Sequence, residues 1–163
     1  MSQLIERNYL EIKSINDLKS IKKTSLVVEE IDNYQINKFF YKNIGKKYSW
    51  VDRLGWSDQK WIEYTSNKNL STFVLTENEE LAGYFELIFH PEIKEVEIAY
   101  FGILEEYFGK KFGGYLLSEA ISRGFILEAN RVWAHTCSLD HKNALQNYIS
   151  RGMSIFKKET LIR

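Results

Sequence analysis

Glu97-Ile98-Ala99-Tyr100-Phe101-Gly102-Ile103, followed a few residues later by Tyr107-Phe108-Gly109-Lys110-Lys111-Phe112-Gly113-Gly114, is the stretch on which the fold of this chain turns. The first half is apolar, aromatic and β-branched, the composition of a strand. The second half is a glycine-rich turn. After it, Leu116, Leu117, Ala120, Ile121 and Gly124 fall on one face at helical spacing, with Gly114 expected to open the helix. A glycine turn running into a helix presents unpaired main-chain N–H groups and the positive end of the helix dipole, which suits a phosphate or diphosphate. Lys110 and Lys111 place positive charge there, and the glycines let the backbone approach a ligand closely. Such a turn alone is a weak sign, because many strand–helix junctions use glycine for packing. The Gly-Lys-Ser/Thr ending of a P-loop is missing. A dinucleotide fingerprint is also excluded, since it follows an early strand and carries an acid about 20 residues on.

Outward from this stretch, strand and helix signals alternate. Leu26 to Ile31, Thr72 to Leu75, Ala82 to Phe89, Glu95 to Ile103, Arg131 to Cys137 and Met153 to Lys157 read as strands, with Tyr9 to Ile12 a weaker candidate. Asp32 with Gln35 reads as a capping box opening a helix to about Ile44. Ser57 is placed to cap a short helix carrying Trp61, and Asp140 to cap a last one carrying Ala144, Leu145, Tyr148 and Ile149. Two early helices, a hairpin, then strand–helix–strand–helix–strand predict a mixed sheet with helices on both faces, an α/β (α+β) fold. No repeat or linker interrupts the chain, so residues 1–163 are expected to form a single domain.

The composition narrows the function classes. Basic and acidic residues each number 22, so nothing draws the chain to nucleic acid or an anionic membrane, and a small-molecule partner is expected. No apolar run is long enough for a membrane span. Cys137 is the only cysteine and Met1 to Lys13 lacks the apolar run of a signal peptide, so the cytoplasm is the expected compartment. Aromatics reach 15%, and Tyr48, Trp50, Trp56, Trp61 and Tyr64 crowd more densely than a core requires, as a pocket lining would.

The turn at His90-Pro91-Glu92-Ile93 lies between two good strands. As a four-residue loop it sets Phe89 opposite Lys94, Phe85 opposite Ile98, Leu87 opposite Val96 and, on the other face, Glu86 opposite Glu97. Facing carboxylates repel, and on a covered face one of them would be tuned to accept a proton near neutral pH. The alternative is that both point to water.

The run Glu97 to Ile103, the turn Gly109 to Gly114 and Leu116-Leu117 together resemble the strand–turn–helix signature of the GNAT superfamily of N-acetyltransferases. The run Leu139 to Met153, with Asn143, Ala144, Tyr148 and Gly152, resembles its second signature, in the family's order and spacing. Phe108 stands where the family usually has Gln or Arg, and Lys111 where it has Gly. Trp50-Val51-Asp52-Arg53-Leu54-Gly55-Trp56 further resembles a bacterial subgroup. The resemblance implies a mostly antiparallel sheet of six to seven strands and acetyl-CoA as cosubstrate without a metal. It implies direct transfer to a primary amine of a small molecule, with a protein lysine or N-terminus, or an acetyl-CoA sensor without turnover, as alternatives. It leaves a homodimer open.

The resemblance also assigns residues. Glu97 matches the base, with Glu86 as partner or replacement, and Tyr148 matches the proton donor to the leaving thiolate. Unaided by the match, Tyr148 reads as core. Main-chain groups of Phe101 and Ile103 would hold the pantetheine arm, with Gly102 marking a bulge or close approach. Gly109, Lys110, Lys111, Phe112, Gly113 and Gly114 would cradle the diphosphate, and Asn143 would touch pantetheine or cap its helix. Trp50, Arg53, Trp56, Tyr84 and His135 are the candidate acceptor contacts. His135, Cys137 and His141 lack the paired spacing of a zinc set.

Overall fold

The computed structural model describes residues 2–163 and contains one seven-stranded sheet. The elements run β1 (Leu4–Ile12), β2 (Leu26–Ile31), α1 (Tyr34–Gly45), α2 (Asp58–Thr65), β3 (Leu70–Glu77), β4 (Glu80–His90), β5 (Glu95–Ile103), α3 (Phe112–Ile126), β6 (Arg131–Cys137), α4 (Ala144–Ser150) and β7 (Ser154–Ile162). The spatial order is β2-β3-β4-β5-β6-β1-β7, and every neighbouring pair is antiparallel except β5 with β6. The mixed sheet flanked by helices is the architecture expected from the element order.

Local chemistry explains most boundaries. Asn33, not Asp32, caps α1: its side-chain oxygen accepts from Gln35 N at 3.0 Å. Ser57 caps α2 as expected, accepting from Lys60 N at 3.2 Å. Helix α3 opens at Phe112, two residues before Gly114, because Lys111 adopts a left-handed conformation (φ 64°) that turns the chain into the helix. Asp140 does not cap α4; its carboxylate accepts from Thr136 Oγ1 at 2.6 Å and Cys137 N at 3.0 Å and so closes the turn after β6. The link between β3 and β4 is the two-residue turn Asn78-Glu79, both at positive φ, the conformation that matches strand twist.

The main core lies between α3 and one sheet face. Leu116, Leu117, Ala120 and Ile121 are buried against Phe85, Leu87, Val96, Ile98 and Val132. Gly124 is needed there, because a Cβ would come within 2.7 Å of Val132 Cγ2. The opposite face carries α1, whose Phe40 stacks on Tyr84 with centroids 4.8 Å apart. The segment near Tyr9 proves to be the end of a nine-residue strand that sits between β6 and β7.

The β4–β5 hairpin departs from its expected register. His90 faces Glu95, Phe89 faces Val96, Ile88 faces Glu97 and Leu87 faces Ile98, after which Glu86 faces Tyr100. The loop is still four residues long but starts one residue later, at Pro91, with Lys94 at positive φ. Glu86 and Glu97 therefore do not oppose each other. The bulge falls at Ala99 and not at Gly102.

Candidate functional site

Strands β5 and β6 pair only through Glu95–Glu97 and Arg131–Trp133. Beyond the Ala99 bulge they part, leaving the main chain from Tyr100 to Ile103 facing a gap. A bulge bends its strand and strengthens the twist, which is enough to end the pairing. Gly102 lets α1 close over the same region, since a Cβ there would lie 2.7 Å from Ile44 Cγ2. The gap widens into a cavity of about 1110 Å³, above the range of roughly 300–1,000 Å³ that holds drug-sized ligands. Glu97, Phe101, Gly102, Ile103, Gly109, Lys111, Phe112, Gly113, Gly114, His135, Asn143, Tyr148, Trp50 and Arg53 all line it.

At one end stands the N-terminus of α3. Lys111 makes no side-chain cap bond, and the first-turn N–H groups of any helix lack intrahelical acceptors. They face a cavity that is electropositive by the helix dipole. Gly109 has φ 83°, which suits glycine. Gly114 is fixed by packing instead, because a Cβ would meet Ile21 Cδ1 at 2.6 Å. Lys110 is turned away from the cavity: its ammonium reaches Glu77 Oε1 at 3.4 Å. Asn147, which sequence reasoning missed, donates from Nδ2 to Gly113 O at 3.1 Å and ties α4 to the turn. Its spacing of four from Asn143, one face of a helix, was the available signal. Tyr48 and Phe108 pack edge-on against His141 at the rim.

At the other end Glu97 is mostly covered, with 20% of its side chain exposed, and Oε1 lies 3.1 Å from His90 Nε2. His135 stands open on the facing strand, yet nearby atoms strip enough of its water, helped by Arg7, to hold its pKa below the ordinary value. Tyr148 is buried, and burial followed by the field of Asp140 pushes its phenol well above the usual range, so it stays protonated. Burial also moves Tyr100 up to about 12.

Four candidates lie elsewhere. Glu86 is fully buried; it accepts from Tyr64 OH at 2.5 Å, Asn37 Nδ2 at 2.8 Å and Arg53 Nη1 at 3.2 Å. The expectation that it assists Glu97 as a base gives way to a structural ion pair. Tyr84 is wholly in the core. Trp56 faces Arg53 instead of the cavity, its ring 4.8 Å from the guanidinium, and Lys110 belongs to the surface. Arg53 itself sits between Tyr64 and Tyr100, each centroid 4.1 Å away, with Trp61 and Tyr41 just beyond. Burial works most strongly against its charge, but Glu86, Tyr64 and Tyr100 together more than offset this and raise its pKa. The dense aromatic segment thus splits in two. Tyr48 and Trp50 line the cavity, while Trp56, Trp61 and Tyr64 wrap an arginine. Breaking one side of such a buried pair costs about 3–5 kcal/mol.

Arg7 also lines the cavity, delivered by the inserted strand β1, and nothing in its local sequence marked it. Among the described residues no group of three or more His, Cys, Asp or Glu side chains is arranged to hold a metal. None of the described helices is long and apolar enough to cross a membrane.

The sequence profile described as "Acetyltransferase (GNAT) family" matches residues 31–153. A GCN5-related N-acetyltransferase from Sphaerobacter thermophilus is similar in fold, with TM-score 0.74 and 11% identity over 98% of this chain and 50% of that one. An IAA acetyltransferase from Bacillus cereus is similar with TM-score 0.60 and 21% identity, covering 82% of this chain and 79% of that one. An aminoglycoside acetyltransferase from an uncultured soil metagenomic sample gives TM-score 0.62 and 12% identity, covering 79% and 88%. Several solved chains are longer: the present chain spans 62%, 50% and 63% of three of them. No curated protein matches.

Proposed function

Because the chain belongs to the acetyltransferase (GNAT) family, we propose that it moves an acetyl group from acetyl-CoA to a primary amine of a small molecule by direct attack in a ternary complex. One observation carries this reading: a single cavity joins the uncapped start of α3 to Glu97 through the opening between β5 and β6. That arrangement suits a long ligand with an anionic end and a reactive end.

The residues divide the work. First-turn N–H groups of α3, with Lys111, take the diphosphate. Main-chain groups of Phe101 and Ile103, unpaired to β6, hold the pantetheine arm, and Asn143 lies alongside. An alkyl amine is protonated at neutral pH, with a pKa near about 10, so Glu97 removes a proton before the nitrogen attacks. The carbon–nitrogen bond forms as the carbon–sulfur bond breaks, and the Tyr148 hydroxyl donates its proton or a hydrogen bond to the departing sulfur. Acetyl-CoA supplies the thioester and leaves as coenzyme A, and the protein supplies position and proton traffic.

A compact acceptor suits the loop that carries Trp50 and Arg53, both of which line the cavity, with Trp50 packed edge-on against Tyr100. The similar structures named for small acceptors, the aminoglycoside and IAA acetyltransferases, support the same class. Arg53 gives the Trp50 to Trp56 segment a purpose in this reading, since it fixes the loop to Glu86.

The test is thiol release from acetyl-CoA across a panel of small amines and lysine-containing peptides. Turnover is expected with a small amine. Glu97→Gln is expected to lower it about 10²–10⁴-fold at neutral pH, less at alkaline pH where the amine is already free. Turnover on peptides alone would move the acceptor to a protein, and coenzyme binding without turnover would make the chain a sensor. Absence of coenzyme A uptake by calorimetry would end the reading.

A further inference from the structure

His90 comes to Glu97 through the register of the hairpin. Had the loop begun at His90, its ring would lie beyond the ladder. Instead His90 is the last paired residue of β4 and faces Glu95. Residues two apart on a strand share a face, so His90 is the diagonal neighbour of Glu97, within reach of a long side chain. Nε2 lies 3.1 Å from Glu97 Oε1. Trp133 stacks loosely on the imidazole, with ring centroids 6.3 Å apart and planes inclined by 22°. The histidine is partly exposed and the glutamate mostly covered, so the pair spans the boundary between solvent and the cavity wall.

We propose that His90 is a positioning residue for Glu97: its Nε2–H donates to Oε1, fixes the carboxylate against the cavity wall, and leaves Oε2 as the atom that receives the amine proton. This rests on the acetyltransferase reading and on Glu97 as its base. A carboxylate free to rotate spends part of its time aimed away from the acceptor, and a small misplacement of a reacting group is costly.

Most of the charges around this pair are engaged elsewhere. Glu95, opposite His90, is held by both Nε and Nη2 of Arg131 at 3.0 Å, and Arg131 Nη1 also reaches Glu11 at 3.1 Å. Across the gap, His135 feels the fields of Glu97 and Arg7, and Arg7 is itself engaged by Glu159 at 3.5 Å.

Two measurements test the assignment. In the first, the His90 ring nitrogens are followed by NMR at one fixed pH in the protein without acetyl-CoA, in wild type and in Glu97→Gln. Wild type is expected to carry its ring N–H on Nε2 as a hydrogen-bond donor, and loss of the carboxylate is expected to move that signal; an unmoved Nε2 signal overturns the proposal. The second is the pH profile of kcat/KM. His90→Ala is expected to move the acidic limb, because the carboxylate loses its donor, and to lower kcat about 10-fold. His90→Gln, which keeps a donor, is expected to recover part of both. An unshifted His90→Ala limb beside a shifted Glu97→Gln profile overturns the His90 assignment alone. A Glu97→Gln profile identical to wild type overturns the base assignment, and the present proposal with it.

Discussion

At the scale of single residues, Tyr148 shows how one side chain serves two demands. Its spacing between Leu145 and Ile149 suits a core position, and its ring is buried 6.4 Å from Phe101. The same residue lines the cavity. Burial keeps its proton on the oxygen, which a donor to a leaving thiolate requires. Tyr148→Phe keeps the ring and removes the proton, so kcat is expected to fall about 10²-fold with the melting temperature nearly unchanged. Steady-state kinetics beside a thermal melt check this, and full activity in the folded variant would return Tyr148 to packing alone. Glu86 is the opposite case. It looked like a base from its expected place opposite Glu97, but a carboxylate already bound by Tyr64, Asn37 and Arg53 has little left to offer a substrate.

At the scale of elements, the turn into α3 carries a cost that can be measured. Lys111 holds φ 64°, which strains a residue with a Cβ by roughly 1–2 kcal/mol, and it sets a positive charge at a positive helix end. Lys111→Gly relieves both at some cost in chain entropy. We expect a net gain of about 1 kcal/mol, or roughly 2–4 °C in melting temperature for a domain of this size. Lys111→Ala removes only the charge, so an equal gain from alanine would show that the backbone is unstrained. The order of strands and helices was legible because each strand is short and apolar and each helix shows its face. The hairpin register was not, because a shift of one residue at His90 leaves apolar residues paired on both sides: Phe89 meets Val96 as readily as Leu87 would. Nor was the place of β1 legible, since insertion between β6 and β7 is decided by partners more than a hundred residues away. The cavity-lining residues were legible largely where main-chain geometry forces them, from Phe101 to Ile103, at Gly109 and from Lys111 to Gly114. Where a side chain must choose a direction, as with Lys110, Tyr84 and Trp56, sequence gave no guide.

At the scale of the whole molecule, an unusual share of aromatic side chains makes alkaline pH the condition that probes the fold. Tyr64, Tyr84, Tyr100 and Tyr148 stand on α2, β4, β5 and α4, and burial raises the pKa of each. In the unfolded chain all four ionise near about 10. In the folded protein they keep their protons to higher pH. Between those limits the unfolded state binds fewer protons, so stability falls as pH rises, whereas below about 10 both states are protonated and the effect vanishes. Tyr84 and Tyr148, the two most deeply placed, are together expected to remove about 2–3 kcal/mol per pH unit above that point. Tyr64 and Tyr100 lie closer to solvent and add less because water screens them. Urea denaturation at pH 8, 9, 10 and 11 reads this directly. A flat midpoint to pH 9 and a steep fall beyond 10 are expected, with a shallower fall in the Tyr84→Phe/Tyr148→Phe double variant. The Tyr84 hydroxyl is buried and has no hydrogen-bond partner among the described residues, so its removal is expected to cost nothing at neutral pH. If the double variant falls as steeply as wild type, the alkaline limit of this fold is set by groups other than its buried phenols.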